Sequence, residues 1–214
     1  MQLKGIKANF LGDSITEGVG TSSPDKTFHQ LIAAKHGLAE ARNYGISATR
    51  FARQCVPSEN PRADLDFCSR VEEMDPDADL IVVFGGTNDF GHGDAPFGKF
   101  DDRTPDTFMG ACHTLMRSLI TKYPDAVIVI MTPLQRTSED QPSVGNHLPL
   151  SSYVNAIREV AEFYSLPVMD LWARSGIQPR VNIIKEKFCP DGLHPNDAGH
   201  EIMAERIANF LLAL

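Results

Sequence analysis

Two uninterrupted apolar runs constrain this chain most: "DLIVVFGG" over 79–86 and "AVIVIMT" over 126–132. A strand with one face in water alternates apolar and polar residues. A run that is apolar at every position must be covered on both faces, as in parallel sheets flanked by helices. Three weaker runs, "IKANFLG" (6–12), "EARNYG" (40–45) and "LPVMD" (166–170), complete a set of five. Helical patterns fall between and after them. "TFHQLIAAKHG" (27–37) ends at a C-capping Gly, and 104–124 opens with Thr-Pro-Asp and stops at Pro124. Stretches 63–74, 150–165 and 196–214 also read as helices. Strand alternating with helix predicts a three-layer α/β/α fold around a parallel sheet. The 214 residues show no repeat and no internal boundary, and 42% of them are apolar, enough for the core of a single domain, 1–214.

In such sheets ligands bind beyond the carboxyl ends of the strands. That rule selects 12–25, 45–62, 86–103, 132–149 and 171–194, and four of these carry reactive or polar groups in a suggestive set. Gly12-Asp13-Ser14 follows the first strand, "NYGIS" with Gly45 the second, and "GGTND" with Asn88 the third. "CPDGLHPNDAGH", holding Asp191 and His194, follows the fifth. A serine hydroxyl needs a base, a histidine base needs a carboxylate to fix its tautomer, and a tetrahedral intermediate needs donors aimed at its oxyanion. A glycine N–H and an asparagine Nδ2 are such donors. Asp191 precedes His194 by three residues, so one turn can present both to the same side. Each group alone has a plainer reading. Ser14 could cap a helix, Gly45 could serve a turn, Asn88 could form an Asx turn, and Asp191 could order the turn before Pro195.

Taken together, the blocks "GDS", "NYGIS", "GGTND" and "DGLHPNDAGH" resemble, in order and over residues 12 to 200, those of the SGNH hydrolases, also called GDSL lipases/esterases. The resemblance implies a flavodoxin-like, five-stranded parallel sheet with flanking helices. It implies Ser14 as nucleophile, His194 as base and Asp191 behind it. The oxyanion hole would be the Ser14 N–H, the Gly45 N–H and the Asn88 side chain. It implies ester hydrolysis, in some members thioester or amide hydrolysis, with no metal or cofactor. The first block reads GDSI rather than GDSL, an apolar exchange of little weight. The second reads "GISATR", where members often carry a second glycine at the Ala48 position; that leaves the Gly45 N–H in place.

Charge and composition remove other classes. A net charge of −8 repels phosphate backbones, so nucleic acid is not an expected partner. No stretch approaches the roughly 20 apolar residues of a membrane span. "MQLKGIKANF" lacks the apolar segment of a signal peptide, so the chain reads as soluble and cytoplasmic. Cys55, Cys68, Cys112 and Cys189 show no CxxC or zinc spacing and read as reduced thiols in or near the core, with Cys189, close to His194, as an alternative nucleophile. His29, His36, His113 and His200 fall in helical patterns, and His92 and His147 in rim loops. Those loops, "DFGHGDAPFGKFDDR" and "QRTSEDQPSVGNHLPL", are polar with scattered aromatics. The expected substrate is therefore a small-molecule, short-chain ester such as an acetylated sugar. The alternatives are a lysophospholipase or acyl-thioesterase, and a catalytically idle carbohydrate-binding module.

Overall fold

Five parallel strands, β1 (Lys7–Gly12), β2 (Glu40–Gly45), β3 (Leu80–Phe84), β4 (Val127–Met131) and β5 (Val168–Met169), form the sheet of the computed structural model, which describes residues 1–214. They lie side by side in the order β2-β1-β3-β4-β5. Each matches one of the five apolar runs, and the two strands without a polar residue, β3 (LIVVF) and β4 (VIVIM), lie side by side in the interior of the sheet.

Nine α-helices accompany the strands: α1 (Ser14–Glu17), α2 (Phe28–His36), α3 (Phe67–Arg70), α4 (Thr87–His92), α5 (Phe108–Lys122), α6 (Leu150–Phe163), α7 (Leu171–Arg174), α8 (Asn182–Phe188) and α9 (Asp197–Ala213). The alternation of side chains along the central strands divides the core in two. Leu80, Val82 and Phe84 of β3 pack with Phe28 and Ile32 of α2 and with Met203 and Ile207 of α9. Ile81 and Val83 face the other way, onto Phe108 and Leu115 of α5 and Tyr153 and Ile157 of α6. All five β3 residues are at most 2% exposed. Burying such a side chain contributes about 1.5–3 kcal/mol, which is why the sheet centre holds its register.

The pattern at 63–74 does not become one helix. It breaks into a 3-10 turn (Pro61–Asp64), the short α3, and a second 3-10 turn (Val71–Glu73). The cause is local polar chemistry. Asp64 turns away to accept the N–H of Ser58 at 2.8 Å, and Asp66 starts α3 afresh by capping the Ser69 N–H at 2.9 Å. The rim segments are also more helical than their composition suggests, since α4, α7 and α8 all lie in them. Cys55 is exposed rather than in the core; Cys112 and Cys189 are buried, and all four thiols are free.

Strand order locates the crevice. The chain winds from β1 outward to β2, then crosses back to the far side of β1 to lay down β3. Loops leaving β1 and β3 therefore part company at their carboxyl ends, and ligands bind at such a switch point. Gly12 and Phe84, the last residues of β1 and β3, are in register, as are Gly12 and Gly45 of β2.

Candidate active site

Ser14 is the first residue of α1, two residues past the end of β1, and is 7% exposed. It is not the cap. Asp13 holds that place, its Oδ1 accepting the N–H of Ile15 at 3.0 Å. The Ser14 hydroxyl is free to turn outward and lies 3.0 Å from Nε2 of His194, 180 residues along the chain. On the other side of the ring, His194 Nδ1 lies 2.7 Å from Asp191 Oδ2. The turn between them is fastened by the same carboxylate. Asp191 Oδ1 accepts the backbone N–H of Leu193 at 2.8 Å and of His194 at 2.7 Å. Partial burial works to raise the Asp191 carboxyl, but the His194 backbone N–H, the His194 ring and the Leu193 N–H hold it below the usual carboxylate range. An ionised carboxylate only accepts, so it selects the Nδ1–H tautomer and leaves the Nε2 lone pair facing the serine hydroxyl.

Asn88 sits in the first turn of α4, buried at 6% exposure, with Nδ2 donating to Thr49 O at 3.0 Å. A carboxamide nitrogen carries two hydrogens, so this bond uses one and leaves the other. It also joins the end of β3 to the turn after β2.

Gly45 has a different task from the one expected. Its N–H donates to Asn43 Oδ1 at 2.8 Å and is thereby committed. Its missing side chain is what matters: a Cβ there would stand 2.1 Å from Glu17 N and 2.6 Å from Glu17 Cα. Only glycine lets α1 lie this close against the end of β2. The unpaired backbone donor of the turn is Ala48, whose N–H has no partner within the chain and whose φ is 65°. Ala48 is the third residue of a turn closed by the Thr49 N–H to Ile46 O bond at 3.3 Å, a place where left-handed backbone is required and glycine is usual. Because Asn88 is bonded to Thr49, the free Ala48 N–H is one residue from the point where its carboxamide docks.

Arg70, which no motif singles out, pins these parts together from behind. It is 4% exposed and donates to Tyr44 O at 2.6 Å, Gly12 O at 3.1 Å, Thr49 Oγ1 at 2.9 Å and Leu65 O at 3.0 Å. One guanidinium thus satisfies carbonyls at the ends of β1 and β2 and a hydroxyl of the 46–49 turn. Burial brings its pKa down to about 10, while the charge of Asp13 works the other way. From the front, Glu17 accepts the Ser47 N–H at 2.7 Å and pairs with Arg62 at 2.7 Å. Asp89 anchors a neighbouring loop, accepting the N–H groups of Phe51 and Ala52, each at 3.0 Å. Burial raises Asp89 to about 6 and Asp13 to about 7.

Cys189 is fully buried and burial pushes its thiol up to about 12, so it has no thiolate to offer as a nucleophile. His29 and His200 are buried and structural. His29 Nε2 lies 3.0 Å from Thr16 O, and His200 Nδ1 accepts the N–H of Phe28 at 3.0 Å. No helix is long and apolar enough to cross a membrane. A shallow, open hollow of about 420 Å3 is lined by Gly20, Thr21, Ser22, Asn196, Asp197 and Ala198, and by none of Ser14, Asn88, Asp191 or His194. A Cβ on Gly20 would come 3.3 Å from that of His194.

Comparison with known proteins shows which family the chain resembles. The sequence profile of the GDSL-like lipase/acylhydrolase family matches residues 10–202. A GDSL lipase of Mycobacterium tuberculosis is 29% identical over 204 residues, 92% of this chain and 78% of that protein. One crystal structure, 34% identical, superposes with a TM-score of 0.87 over 100% of this chain and 99% of its own. The crystal structure of a protein from Lactobacillus plantarum, 29% identical, does so with a TM-score of 0.84 over 98% of each chain.

Proposed function

The chain belongs to the GDSL-like lipase/acylhydrolase family and is a hydrolase of the SGNH type, and from that premise we propose that it cleaves short-chain carboxylic esters with Ser14, His194 and Asp191 as its catalytic residues. The observation that carries this reading is the hydrogen-bonded row from Ser14 Oγ through the His194 ring to Asp191. Ser14 Oγ attacks the ester carbonyl as its proton passes to His194 Nε2. The resulting imidazolium is steadied by Asp191, which remains a carboxylate. His194 then protonates the departing alcohol. Water, deprotonated by the same nitrogen, hydrolyses the acyl-serine and releases the acid.

Two tetrahedral intermediates place negative charge on the former carbonyl oxygen, and preorganised donors must receive it. The Ser14 N–H is one, because the first N–H of a helix has no carbonyl of its own helix to meet. The second hydrogen of Asn88 Nδ2 is another. For the third, the unpaired Ala48 N–H takes the place of Gly45, whose N–H Asn43 occupies. The scheme uses no metal or cofactor, so turnover persists in chelator.

The polar rim loops "DFGHGDAPFGKFDDR" and "QRTSEDQPSVGNHLPL" favour a small, hydrophilic ester such as an acetylated sugar. A lysophospholipase or acyl-thioesterase is the second reading, favoured by Val56 and Val144, 67% and 79% exposed in the loops after β2 and β4. Nitrophenyl acetate against nitrophenyl decanoate, with an acyl thioester alongside, decides between them on kcat/KM. A fluorophosphonate probe tests the enzyme reading itself. Labelling of Ser14 in folded protein is expected, and failure to label would favour a carbohydrate-binding module that performs no chemistry.

A further inference from the structure

Arg136 lies in the rim loop after β4, half-buried, and its guanidinium forms no ion pair. Its surroundings are those of the active site. Nη1 donates to Thr87 Oγ1 at 3.2 Å and Thr87 O at 3.4 Å, and Thr87 directly precedes Asn88. The guanidinium lies over the Phe90 ring, 5.4 Å from its centroid, and a Cβ on Gly91 would come 3.1 Å from Nη1. The next residue, Thr137, donates its N–H to Gly192 O at 3.1 Å, inside the turn that carries Asp191 and His194. Arg136 is therefore held between the oxyanion end of α4 and the turn bearing the base.

Three carboxylates act on it by charge, those of Asp191, Asp13 and Glu139, yet each is engaged elsewhere. Asp191 holds His194, Asp13 caps Ile15, and Glu139 takes the backbone N–H of Arg136 at 2.8 Å and faces Arg180 at 3.5 Å. A half-buried guanidinium that bonds only neutral oxygens at long range, with carboxylates nearby that it does not pair, keeps its remaining N–H groups for something else. A guanidinium presents a planar fork that fits a carboxylate bidentately. It also reverses the local sign in a protein of net charge −8, which would otherwise repel an anionic substrate.

We propose that Arg136 binds a carboxylate on the substrate, so that the preferred esters are anionic ones carrying this group on the acyl or the alcohol side of the scissile bond. The proposal rests on the reading of Ser14 as nucleophile. Two matched pairs test it: mono-4-nitrophenyl adipate against 4-nitrophenyl hexanoate for the acyl side, and 4-acetoxybenzoate against its methyl ester for the alcohol side. The quantity read is the ratio of kcat/KM for the charged member to that for the neutral one. In Arg136→Gln this ratio is expected to fall about tenfold for one pair, mostly through KM, with partial recovery in Arg136→Lys. An unchanged ratio in both pairs, or an equal loss on charged and neutral esters, overturns the proposal. If the protein hydrolyses none of the four esters, it is the Ser14 reading that has failed. Arg136 is then judged by binding: benzoate or adipate should raise the thermal midpoint of the wild type and not of folded Arg136→Gln, and no difference between the two overturns the proposal.

Discussion

Asp13 caps the helix that Ser14 begins. Its Oδ1 takes the N–H of Ile15 at 3.0 Å, and the hydroxyl between them points instead to His194 at 3.0 Å. The two roles that compete for a serine at this place in a sequence are thus divided between neighbours, and substitution should separate them.

Ser14→Ala should keep its thermal midpoint, because the cap stays with Asp13. A lost cap would cost about 1 kcal/mol. Turnover should fall by about 10⁶, equivalent to roughly 8 kcal/mol of barrier. Midpoint and kcat on one preparation give both answers, and a folded variant with near-normal turnover ends the nucleophile assignment.

Asn88→Ala should lower kcat by roughly 10²–10³ through loss of one oxyanion donor. It also removes the partner of Thr49 O, so a loss of about 1 kcal/mol in stability should accompany it. Equal kcat in variant and wild type would make Asn88 a tie between loops and nothing more.

Ala48 bears a left-handed φ of 65°, which costs an L-residue about 1–2 kcal/mol. Ala48→Gly relieves that strain and gives back roughly 0.4–1 kcal/mol through the looser unfolded chain. The variant should be as stable as the wild type or about 1 kcal/mol more so, with its N–H and its esterase activity retained. Denaturant melts that showed clear destabilisation would mean the turn is shaped by the alanine methyl. Ala48→Pro, which lacks the N–H, should lose both stability and turnover.

Acid should weaken the fold through a buried histidine. Burial holds His200 down to about 4 from an ordinary value near 6.5, with the neighbouring His29 charge acting in the same direction. A histidine whose folded pKa is depressed is kept neutral in the native state while the unfolded chain takes up a proton. Stability is therefore lost as pH falls from about 6.5 towards 4, by about 2 kcal/mol at pH 5. Asp13 and Asp89, raised by burial to about 7 and about 6, act with the opposite sign in part of that window, so the wild-type curve alone is not diagnostic. The comparison that isolates His200 is with His200→Gln. At neutral pH the variant should be the less stable, and the gap should narrow on acidification; a constant gap would sink this account.

The fold and the turn that joins Asp191 to His194 are legible in the sequence because each rests on local rules, whereas the pairing of Ser14 with His194, 180 residues apart, is implied by the resemblance of the four blocks to the SGNH hydrolases. An unbroken run such as "LIVVF" specifies a strand covered on both faces. A three-residue spacing sets Asp191 and His194 on one turn, and sheet winding brings loop ends together. What the sequence leaves hidden depends on long-range polar contacts. Nothing in "NYGISATR" shows that Asn43 folds back onto the Gly45 N–H, or that the free donor belongs to Ala48. The helical pattern at 63–74 hides the fact that Asp64 is drawn back to Ser58 and Asp66 into capping. Arg70 and Arg136 look like ordinary charges among 20 basic residues until the carbonyls of Gly12, Tyr44 and Leu65 are seen around one, and no carboxylate partner around the other.

The distance along the chain between Ser14 and His194 makes the site a reporter on its own scaffold. Ser14 opens the helix just past the first strand, while His194 hangs from a short turn fastened by Asp191 and by the Thr137–Gly192 bond, just ahead of α9. Anything that frays that turn, a crowded residue at Gly192 or an unlatched α9, disarms a serine whose own surroundings are untouched. Reactivity of Ser14 towards a covalent probe then counts the molecules in which both ends of the polypeptide are docked at that instant. Followed against temperature or denaturant, it should decline ahead of the global melt if the turn opens first, and a single labelled hydroxyl would serve as a gauge of local opening on the opposite side of the sequence.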